Sequence, residues 1–524
     1  MEFDPIDVLV VGSGLMGSSV ARLVREVVPE ARILMVDGGS VIGDTPGRHL
    51  HDAPQPTVSD GYEERVASGI QGHYVGAPMA QDEIEDVADV PPGMYSLAAY
   101  GHDGGALPGF ALPWNVGGMG VHWTAATPTP WGSEIPSFLD EAEFQGDLAT
   151  ASRLLRVQHD PLGPTAAREA VMAALEEVLG ASCAPGRELQ PMPMAVSPGG
   201  RGRLERTGPS TIFPPIAGET DPAFELRAGV QAVRLNHKAG SVTGADLRDI
   251  ATGVETSVRS RVTVVCADAF RTPQLLFASG IRPSALGRYL NEHAFLSGRV
   301  VVDPGRVGIE LTRLRRALPG EWAVSVGWLP HSDQAQPFHG YLADSVYVDD
   351  DGSPLAYGAG ITLYVPTEIR EQNRIEFSET ETDAAGLPRM IVHFDYSDAD
   401  LALINQARVT QQRAAERLGP FDPATESTLL APGTSLHVTG TVRMGATDDG
   451  TSVSDPDGRV WDFDNLYVAG CGVIPTPLAS NSTIAGVTLA VRTARAVAAQ
   501  LGLAVERGLD TRVDPFVRTI EKEK

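Results

Sequence analysis

Residues 6–37 read IDVLVVGSGLMGSSVARLVREVVPEARILMVD. The segment opens with a nearly all-apolar run, Ile6 to Val11, of the kind a parallel sheet buries on both faces. A glycine turn then opens a helical pattern, and a second apolar run ends at Asp37, completing a βαβ unit. Gly12, Gly14 and Gly17 give GxGxxG at the strand-to-helix turn, and Asp37 follows twenty residues after Gly17. Each part has a physical job. The first glycine makes the tight turn, the second admits a pyrophosphate, and the third lets helix and strand pack closely. The helix N-terminus faces the phosphates, and Asp37 is placed to accept from the adenosine ribose. The pattern predicts a dinucleotide site and does not by itself separate NAD from FAD.

At 524 residues the chain is too long for one simple core, so about two domains are expected. The net charge of -26 excludes the cationic face that nucleic acid needs, and it disfavours anionic membrane surfaces. Cys183, Cys266 and Cys471 are odd in number and widely spaced, which is neither a disulfide framework nor a metal cluster, and no metal is expected. No run approaches ~18 consecutive apolar residues, and the acidic start runs directly into structure, so a cytoplasmic protein is expected.

Strand-like runs return at Leu226–Leu235, in RVTVVCADAF and in DNLYVAGCG, the last leading to an apolar helix over Ser482–Leu501. Between them, 141–179 reads as helical, 197–218 as a Gly/Pro/Arg-rich loop with a mobile GGRGRLER tract, and 368–396 as alternating strands. The expected fold class is therefore α/β (α+β overall). A Rossmann-like unit, 1–125, 225–300 and 455–524, is interleaved with a second unit, 126–224 and 301–454, built on a mostly antiparallel sheet with helices.

The C-terminal constellation discriminates between cofactors. A glycine turn, Gly470-Cys471-Gly472, precedes a helix start near Asn481 and Ser482. A helix N-terminus favours negative charge by roughly 0.3–1 kcal/mol when exposed. A reduced flavin carries an anionic N1/C2=O locus, whereas a nicotinamide does not. An NAD-dependent dehydrogenase would leave this second glycine strand unexplained. Asn481 or Ser482 could equally cap a core helix. Forty-four residues before Asn481, His437 sits in SLHVTGTVRMG. Alone it reads as a core histidine, but a His/Asn pair suits an alcohol O–H, with the histidine taking the proton.

These segments, together with GGMGVHWTAATP (Gly117–Pro128), CADAFRTPQLLFASGI, LNEH, PFHGYL, EQNRIEFSETETDAAGLP and ASNST, resemble the glucose–methanol–choline flavoprotein oxidoreductases over nearly the whole chain. Within that family the likeness is to the pyranose oxidase group. The resemblance implies FAD as cofactor, held by Gly12, Gly14, Gly17, Asp37, Gly118, Met119, Gly120, His122, Thr124, Ala232, Ala267, Gly470, Cys471, Ser482 and Thr483. It implies His437 as catalytic base, Asn481 as its partner, and Thr124, His339, Tyr341 and Ser435 on the substrate side with them. Fungal members bond the histidine of the HWT motif to the flavin 8α-methyl, while some bacterial relatives do not, so His122 licenses that link without establishing it.

The chain departs from the fungal pattern. It is shorter, without a full oligomerisation arm or head insertion, so a monomer or small homo-oligomer is expected. Tyr341 stands where the fungal enzymes use an amide, and residues 344–360 do not match their substrate loop. The resemblance therefore implies oxidation of a secondary ring hydroxyl, C2 or C3, of a pyranose sugar or glycoside, C-glycosides included. The electron acceptor would be oxygen, giving hydrogen peroxide, or a quinone. A flavin dehydrogenase not using oxygen is the alternative.

Overall fold

The computed structural model describes residues 6–52, 83–321 and 323–502. Strand Ile6–Val11 lies between Ile33–Asp37 and the second half of Glu255–Val265, all parallel. Phe224–Ala228 extends the sheet beyond Ile33–Asp37, and Leu466–Val468 extends it beyond Glu255–Val265. Five parallel strands from three separated stretches of chain thus make the parallel part of a seven-stranded sheet, which Ser241–Asp249 and Val230–Lys238 continue antiparallel from Glu255–Val265, and Val8, Leu9 and Val10 at its centre are fully buried. Both faces must then be covered. Helices Leu15–Val27 and Ser482–Gln500 pack together on one of them.

A second sheet of six strands is antiparallel throughout. Its order runs Ser427–Leu429, Ala294–Val301, Pro354–Val365, His339–Val348, Ser325–Leu329, Gln190–Pro191. Strand Ala294–Val301 belongs here, so the change of sheet falls before residue 294. Helices Ala166–Leu179 and Asp398–Leu418 share a core with this sheet.

Three local expectations need correction. The run 141–179 is two helices, Glu141–Leu155 and Ala166–Leu179, because Arg156 turns left-handed (φ 55°) and a short strand follows. The run Leu226–Leu235 is two strands that break at Gly229, where φ is +67°. The tract 199–206 is no loose loop, since Leu204–Arg206 pairs with Met194–Pro198 and Arg206 makes a two-pronged ion pair with Glu321. Among the described residues no helix is long and apolar enough to cross a membrane.

Candidate active site

The glycine turn is built as the spacing requires. A Cβ on Gly12 (φ +104°) would lie 2.4 Å from the Cys266 carbonyl, and one on Gly17 would lie 2.1 Å from the Gly12 carbonyl. Both positions are closed to any side chain. Gly14 differs, because its Cβ would meet only the Gly117 carbonyl at 3.7 Å, and the residue borders a cavity. The Ser13 hydroxyl donates to Asp37 Oδ2 (2.6 Å) and accepts the Gly117 N–H (2.8 Å), tying the turn to the next strand and to the 117–120 loop. Burial raises the Asp37 carboxyl above its ordinary range, against hydrogen bonds from Ser13 and Gly39.

The cavity bordered by Gly14 runs along this turn and is partly open to solvent. Gly12, Gly14, Asp37, Gly118, Met119, Gly120, Ala232, Ala267, Gly470, Cys471, Ser482 and Thr483 all line it, and Gly17 packs behind the turn. His122 and Thr124 do not line it. His122 is buried, with Nε2 2.9 Å from Asn115 Oδ1. The Asn115 amide nitrogen is spent on the carbonyls of Val116 and Gly118, so the histidine donates and its proton sits on Nε2. Burial pushes the His122 imidazole down to about 3, which keeps it neutral.

Several cavity residues escaped the sequence reading. Gln231 Oε1 and Arg271 Nη2 are buried and lack a hydrogen-bond partner, and both residues line the cavity. The Arg271 guanidinium lies over the rings of Tyr100 (5.0 Å) and Trp114 (5.4 Å). Orphaned buried polar atoms are uncommon and point to a missing partner. With the glycine wall and the N-terminal end of helix Ser482–Gln500 beside them, they fit a polar, phosphate-bearing flavin nucleotide. A lone arginine in FRTPQLL or a lone glutamine in VQAV carries no sequence signal, since each acquires its place only through the fold.

Next to Leu436, Val438 and Ser482, which line the cavity, the structure brings His437 and Asn481 together, with Nε2 and Nδ2 3.1 Å apart, although neither of the two is itself a lining residue. Asn481 occupies the N-cap position but makes no side-chain cap bond. Its amide is instead shared between His437 and His339, whose Nε2 is 3.1 Å from Oδ1. The surrounding protein pushes the His437 imidazole down to about 3. Leu436, just before it, is left-handed (φ 60°) without being glycine, a strained conformation of the kind that persists where surrounding structure holds a site.

The remaining substrate-side residues take other positions. His339 is fully buried and bonded at both ring nitrogens. The Ser435 hydroxyl donates to Glu292, whose carboxylate also lies 3.3 Å from the Gly433 nitrogen and 3.5 Å from that of His437. Burial raises the Glu292 carboxyl to about 7 in spite of those bonds. Tyr341 is half-buried among core side chains.

The GMC oxidoreductase model matches this chain in two parts, the N-terminal one over residues 137–295 and the C-terminal one over 370–490. A C-glycoside 3-oxidase of Microbacterium trichothecenolyticum is 37% identical over 516 residues, covering 95% of this chain and 97% of that protein. A pyranose 2-oxidase of Tricholoma matsutake is 28% identical, covering 95% and 94%. In fold, formate oxidase of Aspergillus oryzae superposes with a TM-score of 0.62 at 14% identity, over 95% of this chain and 99% of that one. The chain belongs to the GMC oxidoreductase family, FAD-dependent enzymes acting on CH–OH groups, and within it to the pyranose oxidase group.

Proposed function

We propose that this protein oxidises a secondary ring hydroxyl, at C2 or C3, of a pyranose sugar or glycoside to the keto-sugar, with His437 as the proton acceptor. The observation that carries the reading is the 3.1 Å pairing of His437 Nε2 with Asn481 Nδ2 beside the cavity wall. A hydroxyl that displaces this direct bond can donate its proton to His437 Nε2 while its oxygen accepts from the Asn481 amide. As the proton moves, that amide keeps its bond to the oxygen and steadies the growing negative charge. Burial holds His437 neutral, the state a base must have before it accepts. The bound flavin supplies the hydride acceptor, and oxygen or a quinone then takes the electrons.

C-glycosides are the favoured substrates within that class, given the likeness to a C-glycoside 3-oxidase. Free thiols at Cys183, Cys266 and Cys471 support a reducing, cytoplasmic setting. The deciding experiment is anaerobic mixing of the holoenzyme with free sugars and glycosides, following loss of flavin absorbance and identifying products by NMR. His437→Ala should slow reduction by about 10²–10⁴-fold with FAD retained, and an unchanged rate overturns the assignment. Peroxide release under air separates oxygen from a quinone as acceptor. A covalent FAD link at His122 predicts that flavin colour stays with the acid-precipitated protein. Colour left in the supernatant excludes the bond.

A further inference from the structure

The Asn481 amide has one oxygen and one nitrogen, and each faces a histidine. Beyond His339, the Trp328 Nε1–H donates to His339 Nδ1 at 2.9 Å. Trp328, His339, Asn481 and His437 therefore form one hydrogen-bonded row, and its direction is set at the tryptophan end. An indole N–H can only donate. His339 Nδ1 must accept, so its single proton sits on Nε2 and is given to Asn481 Oδ1. That turns the amide NH2 towards His437, whose Nε2 must accept and whose proton is left on Nδ1. Reversing the amide would set its NH2 against the His339 N–H, donor against donor.

We propose that Trp328 and His339 are positioning residues that act through Asn481 to hold His437 as the Nδ1–H tautomer, its Nε2 lone pair kept by the Asn481 amide until the reacting hydroxyl takes that bond over. The proposal rests on the reading of His437 as the base. It also moves His339 from the substrate-contacting place expected for it to a supporting one.

The antiparallel sheet makes the row rigid. Its register puts His339 directly opposite Tyr364, and Tyr364 opposite Phe295. The three rings stack, with centroids 5.2 Å and 4.8 Å apart and planes within 22° and 16°. Directly opposed pairs of this kind stabilise a sheet through their side chains. Trp328 stands on the neighbouring strand, opposite Tyr341, and the Arg187 guanidinium lies 4.9 Å above its ring. His339 is fully buried within this stack. Protonating it would set a second N–H against that of Trp328, and its dry surroundings already push the imidazole down to about 3.

Imidazole ¹⁵N NMR of the histidine-labelled holoenzyme, with His339 and His437 assigned by single variants, reads the tautomers directly. The native protein should show His437 protonated at Nδ1 and His339 at Nε2. Trp328→Phe keeps an aromatic ring but removes the donor, so both histidines should become tautomer mixtures. Anaerobic flavin reduction should then fall by about 10–100-fold while substrate KM stays within about threefold. His339→Leu should do the same. His339→Gln can accept from Trp328 with its oxygen and donate to Asn481 with its nitrogen, so it should hold His437 in its native tautomer and stay near the native rate. Unaltered tautomers in Trp328→Phe, mixed tautomers with an unaltered rate, or a glutamine variant as slow as the leucine one would each overturn the proposal. If a variant unfolds, the glutamine and leucine pair or the phenylalanine variant still decides. An undiminished rate in His437→Ala would fail the base assignment itself, and the NMR signals of the native protein would still show whether the row is set as described.

Discussion

Glu134 Oε1 accepts the backbone N–H of Ser480 at 2.7 Å, and that of Ala479 at 2.8 Å. Its Oε2 accepts the Trp131 N–H, while its own carbonyl accepts the Thr476 hydroxyl. One buried carboxylate thereby fixes the chain immediately before Asn481. Glu292 does the matching job for the turn that carries His437. The two members of the candidate catalytic pair are thus each seated by a glutamate that bonds to the chain around them.

Glu134→Gln should destabilise the protein by about 1–3 kcal/mol, since an uncharged amide replaces an acceptor of several N–H groups. Burial alone would raise the Glu134 carboxyl, but His331 and the N–H groups of Ser480 and Trp131 outweigh it and hold it below its ordinary 4.5. Its stabilising share is therefore present above pH 4.5 and lost as the pH falls through the lower folded value. Melting curves across the acid range should show a weaker acid dependence in the variant. Identical dependences would remove Glu134 from this role.

Glu292 carries the opposite sign. Its carboxyl is raised to about 7 from 4.5 by burial, so its contribution is fully present below pH 4.5 and is lost as the pH rises through about 7. Glu292→Gln keeps a neutral group there at every pH. The variant should gain on the native protein between pH 5 and pH 8 by on the order of 1–3 kcal/mol. A stability difference that stays flat over that interval would contradict the raised carboxyl.

The three glycines of the fingerprint should separate into two classes. Gly12→Ala and Gly17→Ala drive a methyl into backbone carbonyls and should lower stability by several kcal/mol, of the order seen for strained or overpacked sites. Gly14→Ala meets nothing closer than 3.7 Å in the protein, so its melting temperature without cofactor should barely move, while FAD retention after dialysis falls. Equal melting losses at all three positions would refute this division.

Much of the cofactor side was legible in the sequence because it depends on local backbone. A glycine that must sit at φ +104° against Cys266, or an acid that ends the next strand, leaves a fixed spacing in one short segment. Glu134, Gln231, Arg271 and Trp328 left no such trace. Nothing in WGSEIP marks Glu134, and only the fold brings it to residues more than three hundred positions away. Trp328 stands in no motif, and only strand register sets it near His339. Asn481 was open to reading as a cap, and the structure commits its amide elsewhere.

That commitment reaches the dynamics of the C-terminal helix. A side chain that bridges two histidines gives up the bond it could have made to its own helix, worth about 1 kcal/mol at an ordinary N-cap. The first turn of Ser482–Gln500 therefore begins without a side-chain cap, at Ser482 and Thr483, which line the cavity, and its backbone N–H groups are answerable to an anionic edge bound there. Order in that turn becomes coupled to cofactor loading. Amide hydrogen exchange at Ser482, Thr483 and Ile484 should slow on flavin binding far more than exchange in the middle of the same helix.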